Sequence, residues 1–419
     1  MKRIEIKNAK HYCSGDTITV YIENGVFTDK LTGDADEIID AEGLMLFPGL
    51  IDMHCHLREP GFEYREDIKS GTASAAKGGF TSVCCMPNTN PVCDNAAVVE
   101  GILRKADQVA SCHVYPIGAA SKKLEGKEIS EMGLMKEAGI VAVSDDGKPI
   151  ATANLLKKVL EYASDFDLPV LNHCEELSIA EGAMNEGAIS TALGLRGIPA
   201  IAEEIMISRD IQTAEYLDMP IHICHVSTKK GIEIIRQAKK RGVKVTCETC
   251  PHYFSLTEEA CQTYDTNFKM NPPLRTEEDR LAVIEGIKDG TIDCIVTDHA
   301  PHHIDEKDIE FSLANNGIIG FETAFAVGYT YLVKTGEVSL SDMIKTMTEN
   351  PSRILNLGRG SLGKDMPADV MLADLSQEFV YTKEEIRSKA ANSPYIGTKL
   401  TGRVKLTIAG GKITYDELR

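Results

Sequence analysis

Two histidines one residue apart, His54 and His56 in the stretch LIDMHCHLREPG at 50–61, are the first groups in this chain able to do chemistry. In an extended backbone residues i and i+2 point the same way, so both imidazoles face one side. Two imidazoles so placed can hold one metal ion, and Arg58, next on that face, can reach an anion beside it. A bare His-x-His pair also has an ordinary explanation, because half-buried strands carry histidines for packing alone. Later apolar runs shift the balance by ending in similar residues. Pro87-Asn88-Thr89 follows one run, and Ser144-Asp145-Asp146-Gly147 ends another. Asn172-His173, Cys224-His225 and Thr297-Asp298-His299 end three more. Taken singly, each reads as a capped loop aspartate or a core histidine bonded to a carbonyl. Taken together, they offer four histidines and two carboxylates, a set suited to two divalent ions that share a bridging carboxylate. Imidazole and carboxylate without thiolate suit zinc, manganese, cobalt or iron, with zinc the default. Two such ions can bring the pKa of a water between them toward neutrality, so the expected chemistry is hydrolysis, or its reverse, at a carbonyl.

The elements that must position these groups are short. Apolar β-type runs fall near 49–54, 80–86, 112–118, 139–144, 168–173, 220–225, 242–248 and 292–298. Helix-type segments separate them, among them Glu66–Lys77, Ala97–Ala110, Leu155–Ser164, Ile198–Tyr216, Lys229–Arg241 and Glu277–Lys288. Eight runs with helical crossovers predict an α/β fold, a parallel (β/α)8 barrel over 49–364. In such barrels reactive groups lie at the carboxyl ends of the strands, where these histidines and aspartates fall. An open doubly wound sheet would also alternate, but no glycine-rich dinucleotide fingerprint follows the first strand. Helical segments near 320–334 and 340–349 close the barrel. Residues 1–48 read as short strands with a hairpin turn at Asn24-Gly25, too small to stand alone. The runs ADVMLADL at 368–375 and RVKLTIAGGKITYDE at 403–417, the latter turning at Gly410-Gly411, supply partners. A small discontinuous β-sandwich domain from 1–48 plus 365–419 is therefore expected.

The bulk properties bound the alternatives. The chain has 419 residues, 43% of them hydrophobic and 26% charged, which suits a soluble barrel with a small second domain. The net charge of -18 argues against nucleic acid or an anionic membrane surface as partner. It leaves room for an anionic small substrate, since local arginine, histidine and metal charges outweigh a distant acidic surface. No apolar run approaches bilayer length, and the start MKRIEIKNAK has no apolar h-region, so a cytoplasmic setting is expected. Twelve cysteines in that setting read as reduced thiols. The single CxxC, Cys247 and Cys250, has no second pair after it and reads as strand-end packing rather than a metal or redox pair.

The segments DMHCHLREPG, MPNTNP, DDG, KMNPPLR and TDHAPHHIDEK together resemble the dihydroorotase family of the amidohydrolase superfamily. The similarity is closer to its type I branch, in which an aspartate bridges the metals where other members use a carboxylated lysine. It runs from the first barrel strand through GFETAF at 320–325, and TDHAPH followed by Lys307 is its most specific part. The resemblance implies a metal-dependent hydrolase barrel holding two Zn²⁺ per subunit. It implies that His54 and His56 hold one metal with Asp298, that His173 and His225 hold the other, and that Asp146 bridges. Asp145 is then left structural, because neighbouring strand residues cannot both point inward. It further implies that Arg58, Asn88 and His302 bind a substrate carboxylate, that Asn271 binds the ring amide, and that backbone at Asn316 and Gly317 completes the pocket. Departures are Cys55, Val296 and Asn316, the last where relatives often carry a bulkier apolar residue.

The implied activity is the reversible cyclisation of N-carbamoyl-L-aspartate to (S)-dihydroorotate in de novo pyrimidine synthesis, by a metal-bound hydroxide with Asp298 as general base then acid. The implied partners are the small-molecule substrate and a second copy of the chain, with association with aspartate transcarbamoylase allowed. Cyclic-amide hydrolases of the hydantoinase, dihydropyrimidinase or allantoinase kind are the nearest alternative. They usually place a lysine for carboxylation on the fourth strand, which here reads GIVAVSDDGK, with Lys148 beyond the aspartates. An inactive dihydroorotase-like scaffold is the remaining alternative, and such proteins lack metal ligands that this chain has. The polar segment from His302 to Gly317 reads either as a lid over substrate or as a solvated loop, with His303 facing solvent.

Overall fold

A computed structural model of the chain describes residues 2–418. Its barrel strands are Leu50–Cys55, Phe80–Cys85, His113–Pro116 continuing as Gly118–Ala119, Val143–Ser144, Val170–Asn172, Ile221–Ile223, Val245–Thr249 and Cys294–Ile295. Each pairs in parallel with the next. The first two are buried at every position, as a parallel sheet covered on its outer face by helices requires. The barrel closes between its first and last strands. The His56 amide donates to the His299 carbonyl at 2.8 Å, and the Asp298 amide to the His54 carbonyl at 3.0 Å. The buried Asp52 carboxylate reinforces the seam by accepting the amides of Thr297 at 3.1 Å and His54 at 3.2 Å, and the Thr297 hydroxyl.

The crossover helices start where short polar side chains stand. Asp67, Asn95, Thr152, Thr228 and Thr276 each accept the backbone N–H three residues on. That satisfies a helical amide left without an internal partner. Glu277–Lys288 forms over its expected span, and the other helices predicted from sequence form within three residues of theirs. One crossover lies outside the expected set, Met132–Ala138. Glu131 makes no side-chain cap there and the helix has only seven residues, so the usual start signal is missing. This corrects the run expected at 139–144. Gly139 ends the helix in a left-handed conformation, and only Val143–Ser144 pairs as strand.

Both ends of the chain form one eight-stranded sheet. Arg3–His11, Thr17–Glu23, Val26–Thr28, Glu37–Asp40 and Met45–Pro48 join Val370–Val380, Lys399–Ala409 and Lys412–Asp416. The two termini meet where Met45–Pro48 pairs antiparallel with Val370–Val380. Ile4, Ile6, Phe27, Leu46, Leu372 and Ile408 share a core separate from that of the barrel. No helix among the described residues is long and apolar enough to cross a membrane.

Asp369 fastens the sheet to the barrel. Its carboxylate accepts Arg359 Nη1 at 2.7 Å and the Gly410 amide at 2.7 Å, and lies 3.2 Å from His113 Nε2 on the third barrel strand. Asp369→Ala leaves these donors without an acceptor. Because the Arg359 side chain keeps 18% exposure, the expected loss of unfolding free energy is about 2–3 kcal/mol, below the ~3–5 of a fully buried pair. Urea titration of the variant against the parent measures it.

Candidate functional site

Asp146, at the end of the fourth strand, stands between two pairs of imidazoles. Its Oδ2 lies 3.4 Å from His54 Nε2 and 3.5 Å from His56 Nε2. Its Oδ1 lies 3.4 Å from His225 Nε2 and 3.7 Å from His173 Nδ1. Asp298 completes the first group, with Oδ1 3.0 Å from His56 Nε2 and 3.5 Å from His54 Nε2. Five strands thus deliver six ligand-type side chains to one point. Asp145 points away, its Oδ1 accepting the Ser121 amide at 2.8 Å and its Oδ2 the Ser121 hydroxyl at 2.5 Å.

Three of the imidazoles are anchored by the nitrogen that faces outward. His54 Nδ1 meets Glu248 Oε1 at 2.6 Å, His56 Nδ1 meets Asn88 Oδ1 at 2.9 Å, and His173 Nε2 meets Glu175 Oε2 at 3.2 Å. Such contacts fix the tautomer and aim the free nitrogen inward, the arrangement usual around metal-binding histidines. Two inward atoms, His54 Nε2 and Asp146 Oδ1, are buried with no hydrogen-bond partner. Ligand atoms of His54, His56 and Asp298 lie within 4.8 Å of one another, as do those of His54, Asp146 and His225. Facing buried groups left unsatisfied are what a cation would complete, so these residues fit a pair of divalent ions. His54, Cys224 and Glu248 also approach within 4.8 Å. There the short Glu248–His54 contact leaves no space for an ion.

The electrostatics agree. Burial pulls His54 down, but Asp146, Glu248 and Asp298 outweigh it and hold the imidazole well above its ordinary value. Burial pushes Asp146 up, but His54 and His225 outweigh it and hold the carboxylate well below. A divalent ion would displace the protons the histidines otherwise carry, so its binding strengthens as pH rises through their titration.

Above the cluster opens a cavity of about 210 Å³. His56, Arg58, Asn88, Asp146, His173, His225, Asn271, Asp298, His302, Asn316 and Gly317 line it, with His54 beneath. A larger cavity, about 520 Å³, lies at the opposite end of the barrel among Pro169, Pro220 and Lys244 and holds none of these groups.

Comparison with known proteins places this geometry in a family. The Dihydro-orotase-like family model matches residues 43–231. A dihydroorotase from Acetivibrio thermocellus is 55% identical over 402 residues, 95% of this chain and 94% of its own. One from Ruminiclostridium cellulolyticum is 56% identical over 376 residues, 90% of this chain and 88% of its own. The chain belongs to the dihydroorotase family. An L-hydantoinase (dihydropyrimidinase) from Arthrobacter aurescens superposes with a TM-score of 0.89 over all of this chain and 97% of that one. At 24% identity this shows the shared barrel fold and no more.

The dihydroorotase cavity has one wall made of Arg58, His302 and the Asn316–Gly317 backbone. Arg58 does not continue the face of His54 and His56, contrary to the period-two expectation. The strand ends at Cys55, and Arg58 takes a left-handed conformation with φ 62°. His225 and Asp298 share that unusual backbone, at φ 34° and 46°. Such conformations persist where the surroundings over-determine them, and they cluster at functional sites. Arg58 Nε donates to the Pro301 carbonyl at 3.2 Å, and Nη2 lies 3.4 Å from His302 Nε2. Glu59 and Glu63, the pairing partners a structural arginine would use, instead accept the amides of Ile68 and Gly61. His302 Nε2 donates to the Asn316 carbonyl at 2.8 Å. The Asn316 side chain is exposed, so its backbone forms the wall. Asn271 Nδ2 donates to Glu175 Oε1 at 3.1 Å. Asn88 therefore holds His56 as well as lining the cavity.

Sequence reasoning missed Glu248 and Glu175. Glu248 is fully buried, and its second oxygen lies 3.2 Å from His222 Nε2. The available signal was a carboxylate inside the buried run VTCET, which burial tolerates only with partners. The Cys247 thiol donates to the Thr291 carbonyl at 3.2 Å, and burial pushes it up to about 12, which fits a packing role. Glu248→Ala is expected to weaken metal binding about 10–100-fold, the usual cost of losing an outer partner of a ligand histidine. Chelator competition on the folded variant measures it.

Proposed function

We propose that the chain is a two-zinc dihydroorotase interconverting N-carbamoyl-L-aspartate and (S)-dihydroorotate in pyrimidine synthesis. His54, His56 and Asp298 would hold one ion, His173 and His225 the other, and Asp146 both. The observation that carries the substrate reading is Arg58, a buried guanidinium beside the cluster that forms no ion pair with a carboxylate among the described residues. Burial lowers it to about 10, so it stays charged at neutral pH. A planar, permanently charged group in a cavity suits a substrate carboxylate. His302 supports it as a neutral ring, since burial and then Arg58 push it down to about 3. Its Nε2–H is committed to the Asn316 carbonyl, so binding the substrate carboxylate would exchange that hydrogen bond.

The bound cations would supply a water of near-neutral pKa and polarise the amide carbonyl. Asp298 handles the proton. Its side chain is 12% exposed to the cavity against 4% for Asp146, so it is the carboxylate that substrate can reach. In hydrolysis it accepts the proton of the attacking water and delivers it to the departing ring nitrogen; in synthesis it takes the carbamoyl proton. Asn271, beside His173 through Glu175, would bind the ring amide.

Hydantoin and allantoin carry no carboxylate, so a hydantoinase-like substrate would leave Arg58 unpaired. An inactive scaffold would have no use for six converging ligands. A dihydroorotate hydrolysis assay with metal analysis decides among the three. Asp298→Ala with metal still bound is expected to lower turnover roughly 10²–10⁴-fold. Arg58→Lys is expected to raise KM strongly with little change in kcat, because Lys cannot grip a carboxylate with two parallel N–H groups.

A further inference from the structure

The segment 302–317 alternates buried and exposed residues. It contains the short helix Ile304–Lys307, and Lys307 is 3% exposed. The Lys307 ammonium donates to three carbonyls, those of Asn315 at 2.8 Å, Gly317 at 3.1 Å and Lys269 at 3.3 Å. Lys269, also buried, donates to the carbonyls of Ala314 at 2.6 Å and Ser312 at 2.9 Å. Among the described residues neither ammonium forms an ion pair. An ammonium has three N–H groups and no acceptor, so three carbonyls saturate Lys307. Together with His302 on Asn316, the carbonyls of residues 314 to 317 are all held by cationic or imidazole donors. The Gly317 amide returns to the Lys269 carbonyl at 3.0 Å. Gly317 itself has φ +125°, and a Cβ there would stand 2.7 Å from Ala300 Cβ. The stretch therefore has one available path, and that path is the cavity wall beside Arg58.

A buried ammonium without an anion is costly, and a hydrophobic side chain would fill the space more cheaply. The cost makes sense if the charge acts on something nearby. We infer that Lys307, backed by Lys269, is a positioning residue for substrate. Its ammonium draws the 315–317 carbonyls inward, sets the ring of His302 through Asn316, and adds positive potential where the substrate carboxylate docks. This accounts for the lysine that follows TDHAPH, which the metal site and the direct substrate contacts leave unused. It rests on the dihydroorotase reading for the identity of the anion, and on the loop geometry for the rest.

Burial, reinforced by Lys269 and opposed by Asp265, lowers Lys307 to about 7. Lys269 and Asp265 are the charged groups that act on it, and its charge in turn acts on His302. A nearby substrate anion favours the charged form. The affinity for substrate is therefore full below pH 7 and falls as pH rises past it. Steady-state hydrolysis of dihydroorotate by the metal-loaded protein from pH 6 to 9 tests the inference, together with Lys307→Met. The parent KM is expected to rise above pH 7. In Lys307→Met, KM is expected to be high and flat with pH, raised about 10–100-fold at pH 6.5, the scale of losing charge-assisted hydrogen bonds. Metal content should be unchanged and kcat within a few-fold. Limited proteolysis without substrate should cut 302–317 in the variant and spare it in the parent. A folded Lys307→Met with parental KM and parental protease resistance overturns the inference. Where that variant does not fold, Lys269→Met read by the same two measurements decides, and parental KM with parental protease resistance there overturns the inference. A parent that turns over no dihydroorotate sinks the substrate assignment, whereas unchanged KM and proteolysis together in the folded variant sink the role of the lysine.

Discussion

One buried carboxylate organises this molecule. Asp146 has an imidazole pair on each of its two oxygens, at 3.4 to 3.7 Å, in a buried place at the floor of the cavity. An isolated carboxylate could not remain charged there, and four imidazoles could not remain close together without it. Each makes the other tolerable, and divalent cations would complete both. The outer contacts follow from the same need. Glu248, Asn88 and Glu175 turn three rings so that the free nitrogens point at the anion rather than away from it.

The barrel supplies the precision. Asp298 sits beside His56 because its own amide is bonded to the His54 carbonyl across the closing seam, so first and last strands share one register. Asp52 locks that seam from beneath. The three left-handed residues, Arg58, His225 and Asp298, are bent backbone at the rim of an otherwise regular cylinder. Strand geometry brings the side chains near one another, and these bends aim them.

The substrate wall is built by different means. It lies on a long connection with one isolated strand bridge, His299 to Ile318, and the carbonyls of that connection are tied by two buried lysines and a histidine. A cage for cations and a wall fixed by ammonium donors stand side by side. That combination suits a substrate that is an anion at one end and reacts at a carbonyl at the other.

Much of this was legible in the chain itself. The alternation of apolar runs and helical segments predicted the barrel, and histidines and aspartates at run ends predicted its reactive rim. Pairing of the two ends followed from strands that lacked partners. These are local signals, spaced by 2 or 3.6 residues, and they survive without knowledge of the fold. The choice of Asp146 over Asp145 came from family spacing and the alternation of strand faces, and the structure turns Asp145 to Ser121. Other features belong to the tertiary structure alone. Glu248 meets His54 across 194 residues of chain, and Lys307 meets the Lys269 carbonyl across 38. Which imidazole nitrogen faces inward, and that Arg58 leaves the strand face, depend on those distant partners. Periodicity specifies which face of an element a side chain leaves from. What it meets on the far side is decided only when separate elements close around the same space.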